Sequence, residues 1–169
     1  RHLTVGALTL TGAGPAFSSG GNLKTLRDKL GSGLAHPVLS RYGYGGGIQG
    51  VPLAMCNLEV PVIAAVNGPA LGAGNDLAST CDIRIASEHA KFSATFVKLG
   101  LIPGDGGAWL LPQAVGMSRA CELAYTGDTI DARQALAWGL VSQVVAADAL
   151  LPTAMELARR IARNSGHAL

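Results

Sequence analysis

The stretch Glu59–Ala86, EVPVIAAVNGPALGAGNDLASTCDIRIA, leaves this chain few ways to fold. Val60–Val66 is an apolar run rich in Val and Ile, flanked by Pro61 and closed by Asn67-Gly68-Pro69, which predicts a short buried strand ending in a turn. Ala70-Leu71-Gly72-Ala73-Gly74 then sets small residues around one Leu, and Asn75-Asp76-Leu77-Ala78 reads as the first turn of a helix. In a strand, glycine-rich turn and helix start of this kind, several backbone N–H groups lack intrahelical partners and face the same point. Such a cluster binds negative charge or a polarised oxygen.

Composition narrows the partners. With 169 residues, 49% of them hydrophobic and 14% charged, the chain can bury one good core. Mean hydropathy is positive at +0.32, yet Gly and Pro break every apolar run before the roughly 20 residues a spanning helix needs, so no membrane partner is expected. A scattered net charge of +2 gives no footprint for nucleic acid. Cys56, Cys81 and Cys121 are odd in number and lack metal-type spacing, which predicts the reduced thiols of a cytoplasmic protein. His2, His36, His89 and His167 are dispersed, so no metal site is expected. Arg1, with apolar Leu3–Leu10 directly behind it, reads as a chain entered partway into a strand rather than as a signal peptide.

Two further glycine-rich turns stand at helix entrances. Leu3–Thr11 predicts a strand, Gly12-Ala13-Gly14-Pro15 a turn, and Ala16–Leu23 leads into a helix over Lys24–Leu30. Gly31–Gly50 reads as a glycine-rich loop, either a lid over a site or a plain surface connection. Cys81–Ala86 and Lys91–Ala94 predict strands. Leu99–Gly107 is the third glycine-rich turn, and it precedes a helix over Ala108–Val115. Ser118–Tyr125 predicts a helix with Glu122 supporting its N-terminal end, and Thr129–Ala132 starts another that stops at Gly139. A strand at Leu140–Val145 and an amphipathic helix over Ala147–Arg163 close the chain. A dinucleotide site fits poorly, because Leu77 stands where a third small residue is needed and no acidic residue ends a following strand at the usual distance. Gly116–Ala120 lacks the final glycine of a serine-hydrolase elbow.

Two N–H donors that converge on one oxygen stabilise the enolate or tetrahedral anion formed from a thioester carbonyl. The plain alternative is that the turns only let helices approach strands closely. The words in these turns favour the first reading. AFSSGGNL at Ala16–Leu23, AAVNGPALGAGNDLASTCDIRIAS at Ala64–Ser87 and LGLIPGDGGAWLLPQAVG at Leu99–Gly116 resemble the enoyl-CoA hydratase/isomerase (crotonase) superfamily, and Thr126–Val145 is similar to the family's next stretch. The resemblance implies an α/β fold, a spiral of ββα units with peripheral helices, forming a single crotonase-like domain over 1–169 without the family's N-terminal strand and helix or its C-terminal helices. It implies an acyl-CoA thioester substrate, no separate cofactor since coenzyme A enters with the substrate, and a homotrimer or a dimer of trimers. The reaction it most supports is water addition to 2-enoyl-CoA. Double-bond isomerisation, thioester hydrolysis and acyl-CoA binding without turnover stay open.

Carried over residue by residue, the resemblance puts the oxyanion donors on the N–H groups of Gly21 and Ala73. Asn22, Leu23 and Lys24 fall where the family contacts coenzyme A, and Gly72, Phe96 and Gly104 are further substrate-binding candidates. Hydration in the family uses two carboxylates. Asp76 matches the first, one methylene shorter than the usual Glu, while the second position is Phe96, whose ring moves no proton. Asp105 is the compensating candidate, and burial beside apolar walls would raise its pKa toward neutrality. Each candidate also has a structural reading: Asp105 as a turn or helix cap, Asp76 as a balance to the helix dipole, Lys24 as a solvated side chain. Phe96, Leu99 and Trp109 could line an acyl pocket or belong to the core.

Overall fold

The computed structural model describes residues 5–25, 28 and 47–165. Most of the predicted helix over Lys24–Leu30 and of the loop over Gly31–Gly50 lies outside the described residues. Strands β1 (Leu8–Thr11), β2 (Val62–Val66), β4 (Ile83–Ser87) and β7 (Gln143–Val145) form a parallel sheet in the order β1-β2-β4-β7. A smaller sheet joins β3 (Ala70–Leu71), β5 (Lys91–Ser93) and β6 (Thr129–Asp131), with β5 and β6 antiparallel. Helices among the described residues include α1 (Gly50–Cys56), α2 (Ala73–Thr80), α3 (Gly107–Val115), α4 (Met117–Thr126), α5 (Ala132–Ala137) and α6 (Leu150–Ala162), and 3₁₀ turns span Thr95–Leu99 and Ala147–Ala149.

All five residues of β2 are buried, because a parallel sheet is covered on both faces. Alternation along the strand splits the core into two layers. Ile63 and Ala65 pack with Ile85 under the apolar stripe Leu150, Ala154 and Ala158 of α6. Val62, Ala64 and Val66 face the larger layer with Ala78, Phe92, Leu111 and Leu123. The predicted amphipathicity of α6 is therefore realised on one side of the sheet only, and its Arg159 and Arg160 lie in the last turn, where cations suit the helix dipole.

Three local differences from the sequence reading have physical causes. Thr129–Asp131 is a strand before it is a helix entrance: Ile130 is buried between two exposed residues, a period of two too short to recognise in isolation. Gly50–Cys56 is a helix although it begins with Gly, contains Pro52 and buries no residue completely, so no periodic apolar stripe marks it. Glu122 lies beyond the first turn of α4, which is entered from Gly116 without a side-chain cap.

Side-chain and backbone bonds hold the glycine-rich turns together. Asn67 accepts from the Gly12 N–H at 2.9 Å and donates to the Gly14 carbonyl at 2.7 Å, fixing the end of β1 to the end of β2. The N–H groups of Phe17 and Ser18 both donate to the Pro69 carbonyl at 3.1 Å, and Leu71 N–H donates to the Ser18 carbonyl at 2.9 Å. The first two turns thus run side by side.

Candidate active site

Gly72 ends β3 and enters α2, so Ala73 is the first helical residue and its N–H has no intrahelical partner. The neighbouring turn reaches it closely. Gly20 has φ +83°, and a methyl group built there would lie 2.8 Å from the Leu71 carbonyl oxygen and 3.2 Å from the Ala73 nitrogen. Only glycine permits both that conformation and that approach. Gly20, Gly21 and Ala73 line one cavity of about 190 Å³, together with Asp105 and the apolar side chains of Val51 and Leu77. Gln49, at the entrance of α1, donates from Nε2 to the Gly104 carbonyl at 3.1 Å and ties that helix to the third turn.

The two candidate carboxylates meet in the interior. Asp76 is 1% exposed and Asp105 is 5% exposed. Asp76 Oδ2 accepts the N–H of Gly107 at 3.1 Å. A methyl group at position 107 would sit 2.1 Å from that oxygen, so the contact requires glycine. Neither oxygen of Asp105 accepts an N–H bond, and both are buried. The two carboxyl groups influence each other, and because carboxylates only accept, a hydrogen bond between them requires that the pair hold a proton. Burial, followed by the hydrogen bond and the charge of Asp105, pushes the Asp76 carboxyl up to about 8; the Asn75 amide and the Gly107 N–H act in the opposite direction.

The capping reading of Asp105 finds no support in this geometry. Helix α3 is entered through Gly106 without a side-chain cap, and the N–H that Asp105 would have satisfied goes to Asp76 instead. Asn22 does cap, accepting from the N–H groups of Lys24 at 3.0 Å and Thr25 at 3.2 Å, which leaves Leu23 and Lys24 exposed beside the cavity-lining turn. Phe96 is buried in the 3₁₀ turn, with its ring 4.0 Å from a methyl group built on Gly72. Leu99 and Trp109 are exposed and line neither cavity described here. A second cavity, about 400 Å³, adjoins Asp76 and Gly107 and is otherwise walled mainly by apolar side chains, among them Leu111, Ala120 and Tyr125.

Sequence reasoning missed Val51, Leu77 and the N–H role of Gly107. Gly-Asp-Gly-Gly did mark residue 107 as backbone-accessible, whereas Val51 carries no local signal of a site. Among the described residues no three His, Cys, Asp or Glu side chains cluster as a metal would need, and no helix is long and apolar enough to cross a membrane.

The family model for enoyl-CoA hydratase/isomerase matches residues 2–169. The 1,2-epoxyphenylacetyl-CoA isomerase of Escherichia coli K12 is 44% identical over 167 residues, covering 96% of this chain and 61% of the relative. A probable enoyl-CoA hydratase of Rhizobium meliloti is 43% identical over 161 residues, covering 95% and 59%. The crystal structure of an enoyl-CoA hydratase from Bacillus anthracis superposes with a TM-score of 0.85 at 40% identity, covering 95% of this chain and 60% of that one. The chain belongs to the enoyl-CoA hydratase/isomerase family and has its crotonase-type α/β fold. It spans about three fifths of the length of these relatives.

Proposed function

We propose that the chain carries the reaction centre of an acyl-CoA enzyme that adds water to a 2-enoyl thioester. One observation carries the reading: the Gly20-Gly21 turn and Ala73 line a single cavity with a buried carboxylate in its wall. The N–H groups of Gly21 and Ala73 hold the thioester oxygen and stabilise the enolate as charge develops there; loss of one such donor typically costs about 10²–10³ in kcat. The carboxyl pair supplies both proton transfers, accepting from the attacking water and returning a proton to the α carbon. The exposed Asn22, Leu23 and Lys24 suit the coenzyme A moiety, with the Lys24 ammonium free to meet a phosphate. Gly72, Phe96 and Gly104 border the acyl group. The reading includes a cytoplasmic homotrimer or dimer of trimers, with the exposed apolar side chains Ile102, Trp109, Met117 and Tyr125 as its candidate contact residues.

Double-bond isomerisation is the second reading, favoured by Phe96 in place of an acid. Crotonyl-CoA separates the two. Loss of its conjugated absorbance with formation of a 3-hydroxyacyl-CoA supports hydration, whereas gain of that absorbance from a 3-enoyl-CoA, with no hydroxyacyl product, supports isomerisation. Neither change would overturn both.

A further inference from the structure

Ser18 stands where the first two glycine-rich turns meet, and its backbone makes the junction. Its N–H donates to the Pro69 carbonyl at 3.1 Å, its carbonyl accepts the Leu71 N–H at 2.9 Å, and it forms a parallel bridge with Ala70 at the start of β3. The head of α2 presses on it as well. A methyl group built on Gly74 would collide with the Ser18 carbonyl oxygen and fall 2.8 Å from its Cβ, so this approach depends on glycine. The Ser18 backbone is thereby fixed against both β3 and the helix start that presents Ala73.

Its side chain acts forward along its own turn. Ser18 Oγ accepts the Gly20 N–H at 3.3 Å, two residues on, which holds that donor inside the turn. The N–H of Gly21 finds no acceptor among the described residues, and Gly21 lines the cavity together with Ser18 and Ala73. A glycine has no side chain with which to aim its own N–H. The direction has to come from bonds that its neighbours make.

We propose that Ser18 is a positioning residue for the oxyanion donors: its hydroxyl oxygen retains the Gly20 N–H, which leaves the Gly21 N–H directed with that of Ala73 at one point in the cavity. The proposal rests on the acyl-CoA reading and adds to it the side chain that aims a backbone donor. Without Oγ, the Gly20 N–H loses its acceptor and competes for the ligand oxygen or for water, and the Gly20–Gly21 peptide is free to rotate.

The experiment compares Ser18→Ala and Ser18→Cys with the wild type in two measurements. One is steady-state turnover of 2-enoyl- and 3-enoyl-CoA. The other is the infrared carbonyl stretch of bound butyryl-CoA, isotope-labelled at its carbonyl carbon, whose saturated chain has no double bond to turn over. In the wild type, two converging donors should lower the stretching frequency below that of the free ester in water. For Ser18→Ala, kcat should fall by about 10-fold to 10²-fold with KM little changed, less than for removal of a whole donor, and part of the frequency shift should be lost. Cysteine keeps a weaker acceptor at the same place, so Ser18→Cys should lie between. A Ser18 that only supports the fold would lower stability and leave the frequency and kcat per folded molecule at their wild-type values, which overturns the proposal. An order with cysteine below alanine also overturns it, since side-chain size rather than the bond would then decide. If Ser18→Ala does not fold, Ser18→Cys decides by the same readouts, partial loss of both supporting the proposal and wild-type values overturning it. A wild-type protein that turns over neither ester and shows no carbonyl shift overturns the acyl-CoA reading and the proposal with it, whereas a wild-type shift that Ser18→Ala leaves unmoved overturns the proposal alone.

Discussion

Asp105 and Asp131 stand at the entrances of two helices and do opposite things. Asp131 is exposed, and its Oδ1 accepts the N–H of Gln134 at 2.7 Å, an N-cap that satisfies the first turn of its own helix. Asp105 is buried and caps nothing. The N–H of Gly107 at the head of α3 goes to Asp76 on a different helix. The difference shows how a turn carboxylate becomes available for chemistry: a residue on a second helix takes over its structural bond, and its own oxygens are left facing a cavity and a partner carboxyl group. Asp131 is itself the N-cap of α5, whereas Asp105 stands one residue before the N-cap Gly106 of α3, so the distinction lies in a one-residue offset as well as in tertiary contacts.

The strongest way to break this contrast within the fold is Gly107→Ala. The added methyl would fall about 2.1 Å from Asp76 Oδ2, well inside any permitted contact, so the carboxylate must move and the pair must separate. Misplacement on the order of 1 Å typically costs about 10²-fold in rate. The expected outcome is a drop of at least that size in kcat, with KM for enoyl-CoA little changed. Steady-state kinetics over an acyl-CoA concentration series checks it. Unchanged kcat would mean that the Asp76–Gly107 bond does not set the geometry of the pair.

Much of this was legible in the sequence, and unevenly so. Val62–Val66 and the amphipathic α6 followed from periodicity because each packs along its whole length. The resemblance selected Gly21, Ala73, Asp76 and Asp105, and the structure brings the first two and Asp105 to one cavity, while Asp76 borders the second. Which aspartate faces the cavity was not legible, since that depends on α2 and α3 packing together, a contact between residues 31 apart in sequence. Helix α1 went unread because none of its residues is fully buried, so burial imposed no pattern on it. The helix entrance over Thr129–Ala132 was read, but the three-residue strand Thr129–Asp131 before it was not, since only pairing with β5 reveals it.

A second test sharpens the comparison through stability. The Asp76 carboxyl is raised from 3.8 to about 8 in the folded chain, so between those values the folded state holds a proton that the unfolded chain has released. Stability must therefore fall as pH rises across that window; the contribution is fully present below about pH 4 and lost above about pH 8. One group can supply a slope of at most about 1.4 kcal/mol per pH unit. Urea unfolding at intervals from pH 5 to about 8.5 should show a decline below this ceiling, and Asp76→Asn should flatten it. A wild-type curve as flat as the variant's would show that the buried pair carries no shared proton.

Asp131→Ala is the mildest test, and it asks whether the other aspartate is structural only. Removing the side chain leaves the Gln134 N–H without its 2.7 Å acceptor at the head of α5, a helix of six residues with little intrinsic stability. An N-cap aspartate is worth about 1 kcal/mol. The position is exposed and solvent can rehydrate the freed N–H, so the loss should not exceed that figure. Thermal or urea unfolding should report a destabilisation of about this size, and serine at 131 should recover most of it, because its hydroxyl can accept the same bond. Turnover per folded molecule should match the wild type, since β6 pairs with β5 through backbone groups and Asp131 lines neither cavity. A marked loss of kcat in Asp131→Ala would show that a helix cap remote from the cavity can tune the reaction, and the separation between the two aspartates would no longer hold.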